Sequence, residues 1–292
     1  MKIPERLRSV IPIKRWRNPP PLVSVIRLSG VIGSGGLRGG LTLASLAQVI
    51  ERAFAPDGQK AVALLINSPG GSPVQSSLIA GRIRQMAAEK KVPVLAFCED
   101  VAASGGYWLA CAADEIFADE SSIIGSVGVI YAGFGFQDLI ARHGIERRVH
   151  TAGTRKSVLD PFRPEDPEDI DLLRGIQGDI HDAFKAMVRA RRGERLKGDE
   201  AELFSGAFWA GRGALERGLI DGLGDVRSVM RARFGKEVRL RLVSAQRGWL
   251  PWRRGLSDEA LGRSFAAGIT ADTVAAALST LDERAMWARY GL

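Results

Sequence analysis

The sequence is poor in cysteine and histidine, the residues on which disulfide frameworks and most metal sites depend. Its 292 residues include 2 cysteines and 3 histidines. Cys98 and Cys111 both lie in apolar stretches, which favours two buried thiols over a disulfide. No Cys-x-x-Cys pair occurs and the histidines are scattered. We therefore expect neither a metal site nor a cofactor.

Long apolar runs are missing as well. The longest uncharged run, 61–81, is interrupted by the helix-breaking sequence Asn67–Pro73, and the next, 121–137, carries four glycines. A membrane-spanning helix needs about 20 consecutive, mostly apolar residues. The first 21 residues are basic and proline-rich and lack the apolar centre of a signal peptide. The expectation is a cytoplasmic protein without a membrane anchor.

Basic residues outnumber acidic ones, 41 to 33, which gives a formal net charge of +8. They are spread along the chain, with local clusters at 14–17, 189–197 and 253–254. Too few aromatic residues accompany these clusters to form a stacking platform for single-stranded nucleic acid, so no nucleic-acid partner is expected. Solvated helix faces are the favoured interpretation, and peripheral attraction to an anionic membrane surface is the alternative.

Strand and helix patterns alternate at short intervals along most of the chain. The apolar run 61–66 is typical of a strand buried on both faces of a parallel sheet. The alternation predicts an α/β fold with a mostly parallel sheet. We divide the chain into an N-terminal arm (1–21), a folded domain (22–244) and a helical C-terminal extension (245–292).

Three local predictions concern elements near the middle of the chain. A glycine-broken strand is predicted over 123–131, and a second strand over 145–150. Ser72 is predicted to cap the helix that follows it, with Gln75 completing a capping box.

One serine stands out because only small residues flank it. Ser104 lies between two alanines and two glycines, after the apolar stretch 93–98 and before the helix-like stretch 107–113. A hydroxyl on such a strand-to-helix turn can be approached by a substrate backbone, and the turn directs N–H groups at the atom attacked. The alternative is a turn that only packs tightly. The turn 67–73 should open at the same carboxyl edge of the sheet.

A nucleophilic serine needs a general base and an oxyanion hole. None of His143, His150 and His181 has an obvious acidic residue to orient it, and each is interpreted as structural or solvent-exposed. The remaining arrangement is a Ser-Lys dyad. A lysine base must be neutral part of the time, which requires desolvation or positive neighbours. Lys156, which follows a predicted strand and a glycine turn, is the candidate.

Several ordered motifs resemble those of the signal peptide peptidase A family, serine peptidases related to the Clp protease/crotonase superfamily. The motifs are Ile-Asn-Ser-Pro-Gly-Gly (66–71), Val-Ala-Ala-Ser-Gly-Gly-Tyr-Trp (101–108), Ile-Gly-Ser-Val-Gly-Val (124–129), Ala-Gly-Thr-Arg-Lys-Ser (152–157) and the stretch 208–224. The match covers roughly residues 22–240. The resemblance implies a crotonase-like spiral of repeated β-β-α units.

The resemblance also implies roles for individual residues. They are Ser104 as nucleophile, Lys156 as general base, Ser126 as a hydroxyl that orients the lysine, and the N–H groups of Gly105 and of Gly70 or Gly71 as the oxyanion hole. For Ser126, a small residue in a tight strand is the alternative interpretation. The implied activity is endopeptidase hydrolysis of signal-peptide remnants or other small or unfolded peptides through an acyl-enzyme.

The resemblance further implies a homo-oligomeric ring or dome, with the dyad completed within one chain or across a subunit boundary. The family's usual N-terminal membrane span is not evident here, which leaves open whether the peptide substrates lie in the membrane or in solution. Two alternatives share the fold. One is a crotonase-type acyl-CoA hydratase or hydrolase, and the other is a catalytically inactive oligomeric scaffold.

Overall fold

The computed structural model describes residues 19–33, 40–244 and 271–292, with side chains from Thr280 onwards in the last segment. Most of the predicted N-terminal arm (1–21) and the first half of the predicted extension (245–292) therefore lie outside the described residues. Within the described residues, no helix is both long enough and apolar enough to cross a membrane.

A single sheet of eight strands organises the part of the chain that the structure describes. The strands are β1 (Leu22–Ser29), β2 (Ala61–Ser68), β3 (Val94–Ala103), β4 (Glu115–Ala118), β5 (Ile123–Gly125), β6 (Phe208–Ala210), β7 (Gly222–Leu223) and β8 (Arg239–Val243). Their order is β6-β5-β3-β2-β1-β8, and β4 pairs with both β3 and β7. Every pair is parallel except β5 with β6. The predicted mostly parallel α/β sheet is confirmed.

Helices lie between the strands. They are α1 (Leu43–Phe54), α2 (Pro73–Lys90), α3 (Gly105–Ala110), α4 (Gln137–Arg142), α5 (Pro167–Arg192), α6 (Glu200–Leu203), α7 (Gly211–Glu216), α8 (Val226–Phe234) and α9 (Ala271–Ala288), with a 3₁₀ turn at Gly193–Arg195. The long helix α5 begins where Asp166 caps it and Pro167 occupies its first turn, both favourable at a helix start. This Asp-Pro pair marks the start of α5 in the sequence itself.

The core lies on both faces of the sheet. Alternate residues of β1, β2 and β3 pack on one face against α1, α2, α3 and α5. The opposite residues of the same strands pack against α8 through Met230, which is fully buried. This double burial explains why the sequence of β2 reads as a continuous apolar run.

A buried ion pair ties α5 to the turn before β7. The Arg192 side chain is 2% exposed, and its guanidinium donates to both carboxylate oxygens of Asp221, at 2.7 and 3.1 Å, and to the Gly218 carbonyl. Burial by itself raises the pKa of the Asp221 carboxyl. The hydrogen bonds from Arg192 and from the Ile116 N–H outweigh it and hold that pKa below its ordinary value.

Three local predictions are wrong in part. The strand predicted over 123–131 ends at Gly125, where a positive φ of 118° turns the chain. The stretch 145–150 is not a strand, because it pairs with none of the described strands and lies at the surface. Ser72 caps α2 as predicted, but the Gln75 side chain accepts from the Leu43 N–H at 2.8 Å and joins α2 to α1 instead of closing a capping box.

Candidate active site

Ser104 sits at the turn between β3 and α3 in a strained backbone conformation. Its φ is 53° and its ψ is −122°, a region that costs a non-glycine residue on the order of 1–3 kcal/mol. Two hydrogen bonds hold it there: its N–H donates to the Gly125 carbonyl at 2.8 Å, and its carbonyl accepts from the Trp108 N–H at 3.0 Å. Strained turns of this kind are found where a serine nucleophile is presented above a sheet.

The turn after β2 meets the turn after β3, as predicted from the parallel sheet. A Cβ placed on Gly70 would lie 2.8 Å from the Ser104 Cβ and 2.9 Å from the Gly105 nitrogen. The φ of Gly70 is 105°, which also excludes most side chains. Only glycine at this position lets the two turns come so close together.

Two backbone N–H groups beside Ser104 have no acceptor in the part of the chain that the structure describes. The Ile32 N–H donates to the Gly70 carbonyl, and the Ile32 carbonyl accepts from the Ser72 N–H, both at 2.8 Å. These two bonds flank Gly71. Among the described residues no acceptor is found for the N–H of Gly71 or for that of Gly105, the first residue of α3. The Gly70 N–H, in contrast, donates to Ser68 Oγ at 3.2 Å.

These groups face a cavity of about 870 Å³. Residues from five regions line it: Gly71 and Pro73 after β2, Ser104, Gly105 and Trp108 at α3, Ser126 and Gly128 after β5, His181 and Phe184 of α5, and Asp282, Met286 and Arg289 of α9. A second cavity of about 540 Å³, lined by residues of α2, α3 and α5, shares Pro73 and Trp108 with the first. The space next to Ser104 is large enough for an extended peptide segment.

Ser126 lines the same cavity as Ser104. It directly follows β5, has a φ of 55°, and is held by a hydrogen bond from its N–H to the Ala207 carbonyl at 2.7 Å. The residue is 8% exposed, and its Oγ accepts from the Tyr290 hydroxyl at 3.2 Å. The hydroxyl is thus buried and oriented from the C-terminal side of the chain.

Lys156 is not part of this cavity. It is exposed, in the long connection between α4 and α5, and its ammonium makes no hydrogen bond or ion pair with the described residues. Its loop is well anchored by Asp160, whose carboxylate is 3% exposed and accepts from Arg147, Ser157 and the Phe162 N–H. The Phe162 N–H and Arg147 lower the pKa of the Asp160 carboxyl. Within one chain, the two members of the predicted dyad are not brought together.

The two cysteines are buried and chemically shielded. Cys98 lies in β3 and Cys111 directly follows α3, and each is at most 5% exposed. Burial raises the pKa of both thiols, that of Cys111 to about 12. The interpretation as two buried free thiols is confirmed.

Two parts of the cavity wall are not predicted from the sequence. His181 lies in its wall, and its Nε2 is 3.1 Å from the Val127 carbonyl oxygen. Because a carbonyl only accepts, this nitrogen carries the hydrogen in the neutral ring, and His181 holds the backbone after Ser126. The end of α9 forms the opposite wall, and no local motif marks it.

Comparison with known proteins gives close and distant relatives. A Brucella abortus protein named Na(+)/H(+) antiporter NhaA is 49% identical over 99% of this chain, but the chain spans 39% of its length. A protein of Synechocystis named as a protease is 31% identical over 69% of each chain. A mutant of the 1510-N membrane-bound stomatin-specific protease, solved with a substrate peptide, superposes with a TM-score of 0.50 at 16% identity, covering 79% of this chain and 95% of that one.

The structural likeness confirms the predicted Clp protease/crotonase-like fold with its mostly parallel sheet. The family model of peptidase family S49 matches residues 86–239, more than half of the chain. That range includes the Ser104 turn, Ser126 and the Lys156 loop, and the predicted resemblance to signal peptide peptidase A is confirmed. The chain therefore belongs to peptidase family S49, a family of serine peptidases.

Proposed function

We propose that the chain is an endopeptidase in which Ser104 attacks the peptide carbonyl and Lys156 acts as general base. The observation that carries this proposal is the pairing of a strained, cavity-facing Ser104 with two acceptor-free N–H groups, those of Gly71 and Gly105. This is the arrangement that acyl transfer requires of a nucleophile and an oxyanion hole. Gly70 contributes the close backbone approach, since its own N–H is bonded to Ser68.

The reaction proceeds in two stages. The neutral Lys156 amine takes the Ser104 proton while Oγ bonds to the peptide carbonyl carbon, and the oxyanion accepts from Gly71 and Gly105. The lysine then protonates the leaving amine as the peptide C–N bond breaks. Water, activated by the same lysine, hydrolyses the Ser104 ester and restores both groups.

In this proposal Lys156 reaches Ser104 of a second copy of the chain in a homo-oligomer. Lys156 is exposed in its own chain, and the segment that carries it also exposes large apolar side chains: Ile130, Phe134, Leu139 and Ile145 are each at least 52% exposed. Several exposed large apolar side chains within one segment are typical of a protein interface. Burial of the segment against a neighbouring copy would also supply the desolvation that a lysine base needs.

The substrates proposed are small or unfolded peptides, signal-peptide remnants among them. The second cavity is lined mainly by apolar groups, including Val74, Trp108, Ile180 and Met187, and it suits the apolar side chains of such peptides. We place this activity in the cytoplasm, where the net charge of +8 would attract the protein to anionic membrane surfaces.

The test is activity on a fluorogenic peptide together with labelling by a fluorophosphonate probe. Ser104→Ala should abolish both, and Lys156→Ala should abolish cleavage and strongly slow labelling. Ser121→Ala and Lys60→Ala, which change an exposed serine and an exposed lysine elsewhere, are the matched controls and should behave as wild type. Full activity in Lys156→Ala would exclude the dyad.

Mixing the two inactive variants decides where the dyad forms. If Lys156 serves the Ser104 of another copy, mixed oligomers of Ser104→Ala and Lys156→Ala contain some sites with both groups and regain part of the activity. No recovery, with exchange of subunits verified, would place the dyad within one chain. An acyl-CoA hydratase or an inactive scaffold would show no labelling of Ser104 in any of these samples.

A further inference from the structure

The C-terminal end of the chain is built into the floor of the active-site region. Trp287 and Tyr290, at and just beyond the end of α9, pack against Val101 and Ala103 of β3 and Ile123 of β5. These are the strands that lead into Ser104 and Ser126. The Tyr290 ring also makes an edge contact with Phe208 of β6, with ring centroids 5.2 Å apart. Tyr290 is 8% exposed, so its position is fixed by packing on three strands.

Among the described residues, the phenol of this buried tyrosine makes one hydrogen bond, and its partner is Ser126. The Tyr290 hydroxyl donates to Ser126 Oγ at 3.2 Å. A serine hydroxyl has one hydrogen to donate and two lone pairs. Tyr290 therefore occupies one lone pair of Ser126 Oγ and leaves the second available, and no other donor to it is found among the described residues.

The position of Ser126 gives this lone pair a use, because Ser126 lines the cavity that contains Ser104. The lone pair is available to a donor that enters the cavity during the reaction. A neutral amine can donate one of its N–H groups to such an acceptor and keep its single lone pair for the proton of Ser104.

We propose that Tyr290 is a positioning residue: by donating to Ser126 Oγ it fixes the Ser126 hydroxyl so that its remaining lone pair accepts an N–H of the general base, whose own lone pair stays free for the Ser104 proton. The inference rests on the proposed Ser-Lys mechanism and adds a residue that lies far from the motifs carrying it. The C-terminal end of the chain is in this account part of the catalytic apparatus, acting through Ser126.

The contact makes a specific prediction for kinetics. Tyr290→Phe keeps the ring that packs on the three strands and removes only the hydroxyl. We expect kcat for peptide cleavage to fall about 3-fold to 10-fold, the effect of one hydrogen bond, with KM unchanged. Ser126→Ala should cause at least the same loss, and Tyr290→Phe added to Ser126→Ala should cause no further loss, because Tyr290 then has no hydroxyl to orient.

Three measurements separate this role from others. Leu281→Ala, an exposed position on the same helix, is the matched control and should leave kcat unchanged. Thermal unfolding of each variant tests for loss of packing. If Tyr290→Phe unfolds at a lower temperature than the wild type, the rate of fluorophosphonate labelling of Ser104 at low temperature replaces the turnover assay. Losses that multiply in the Tyr290→Phe, Ser126→Ala double variant would show a purely structural role and overturn the proposal.

Two other outcomes would also overturn it. Wild-type kcat in Tyr290→Phe would show that the hydrogen bond has no part in the reaction. Faster cleavage in Tyr290→Phe would show that the end of α9 obstructs the cavity. If the wild-type protein neither cleaves peptides nor is labelled at Ser104, the proposed function is wrong and the role of Tyr290 is wrong with it. If the wild type is active and Tyr290→Phe is equally active, only the role of Tyr290 is wrong.

Discussion

Alanine at Gly105 tests the proposed oxyanion hole through a clash that the structure locates. A Cβ on Gly105 would fall far inside contact distance of Ser76 Oγ and would lie 3.1 Å from Ile32 Cδ1. Ser76 is fully buried, and its Oγ donates to the Ser72 carbonyl at 2.8 Å. The clash is relieved by rotating Ser76, which breaks that bond, and by moving the start of α3 away from α2.

Both ways of relieving the clash, rotating Ser76 and moving the start of α3, have a measurable effect. The broken bond and the overpacking should lower the free energy of unfolding by about 1–3 kcal/mol. A shift of about 1 Å in the Gly105 N–H would move an oxyanion donor out of position, which can cost about 100-fold in rate. We therefore expect Gly105→Ala to fold, to unfold at lower urea concentration, and to lose about 100-fold in kcat/KM.

A second substitution checks the cause. Ser76→Ala removes the Oγ that meets the new methyl group, so the Gly105→Ala, Ser76→Ala double variant should regain most of the lost kcat/KM. Gly175→Ala is the control for adding a methyl group to a glycine: no heavy atom lies within 4 Å of its Cβ position, and in the middle of α5 it should stabilise by about 0.5–1 kcal/mol without changing kcat. The reasoning is refuted if Gly105→Ala keeps wild-type kcat/KM, or if Ser76→Ala does not restore it.

Two further predictions concern stability and reactivity. Asp221→Asn leaves the Arg192 guanidinium buried without its counter-charge and should lower the free energy of unfolding by about 3 kcal/mol. Because the pKa of Asp221 is lowered in the folded state, the carboxylate stabilises the fold fully above the ordinary pKa of 3.8, and this stabilisation is lost as the pH falls below that value. In urea titrations below pH 4, the free energy of unfolding should therefore depend less steeply on pH in Asp221→Asn than in the wild type. An unchanged slope would contradict the assignment. Cys98 and Cys111 should resist a thiol reagent at pH 8 in the native protein and react once urea unfolds it, so rapid labelling of the native state would contradict their burial.

The neighbourhood of Ser104 was predictable because it depends on two local facts. A parallel sheet brings the carboxyl ends of its strands to one edge, and glycine at Gly70 and Gly71 lets two turns approach closely. Both facts are readable in single stretches of sequence. The position of the turns, the buried cysteines and the start of α5 follow from patterns of the same kind.

The rest of the site depends on contacts between distant parts of the chain. The stretch 145–150 has residues typical of a strand but pairs with none of the described strands, and a strand forms only beside a partner. Tyr290 meets Ser126 across 164 positions, and His181 reaches the cavity only because α5 packs over α3. No local pattern predicts where Lys156 lies relative to Ser104, since the described residues of one chain keep the two apart.

At Ser104, the stability of the fold and the proposed reaction favour different residues. Glycine would adopt a φ of 53° freely and would relieve the strain, yet it would remove the hydroxyl on which the proposed cleavage depends. Serine keeps the hydroxyl and leaves the fold less stable than it could be. Selection for stability alone would therefore remove the proposed nucleophile, so a serine in this conformation is what we expect if the proposed reaction, and not the fold, determines the residue at position 104.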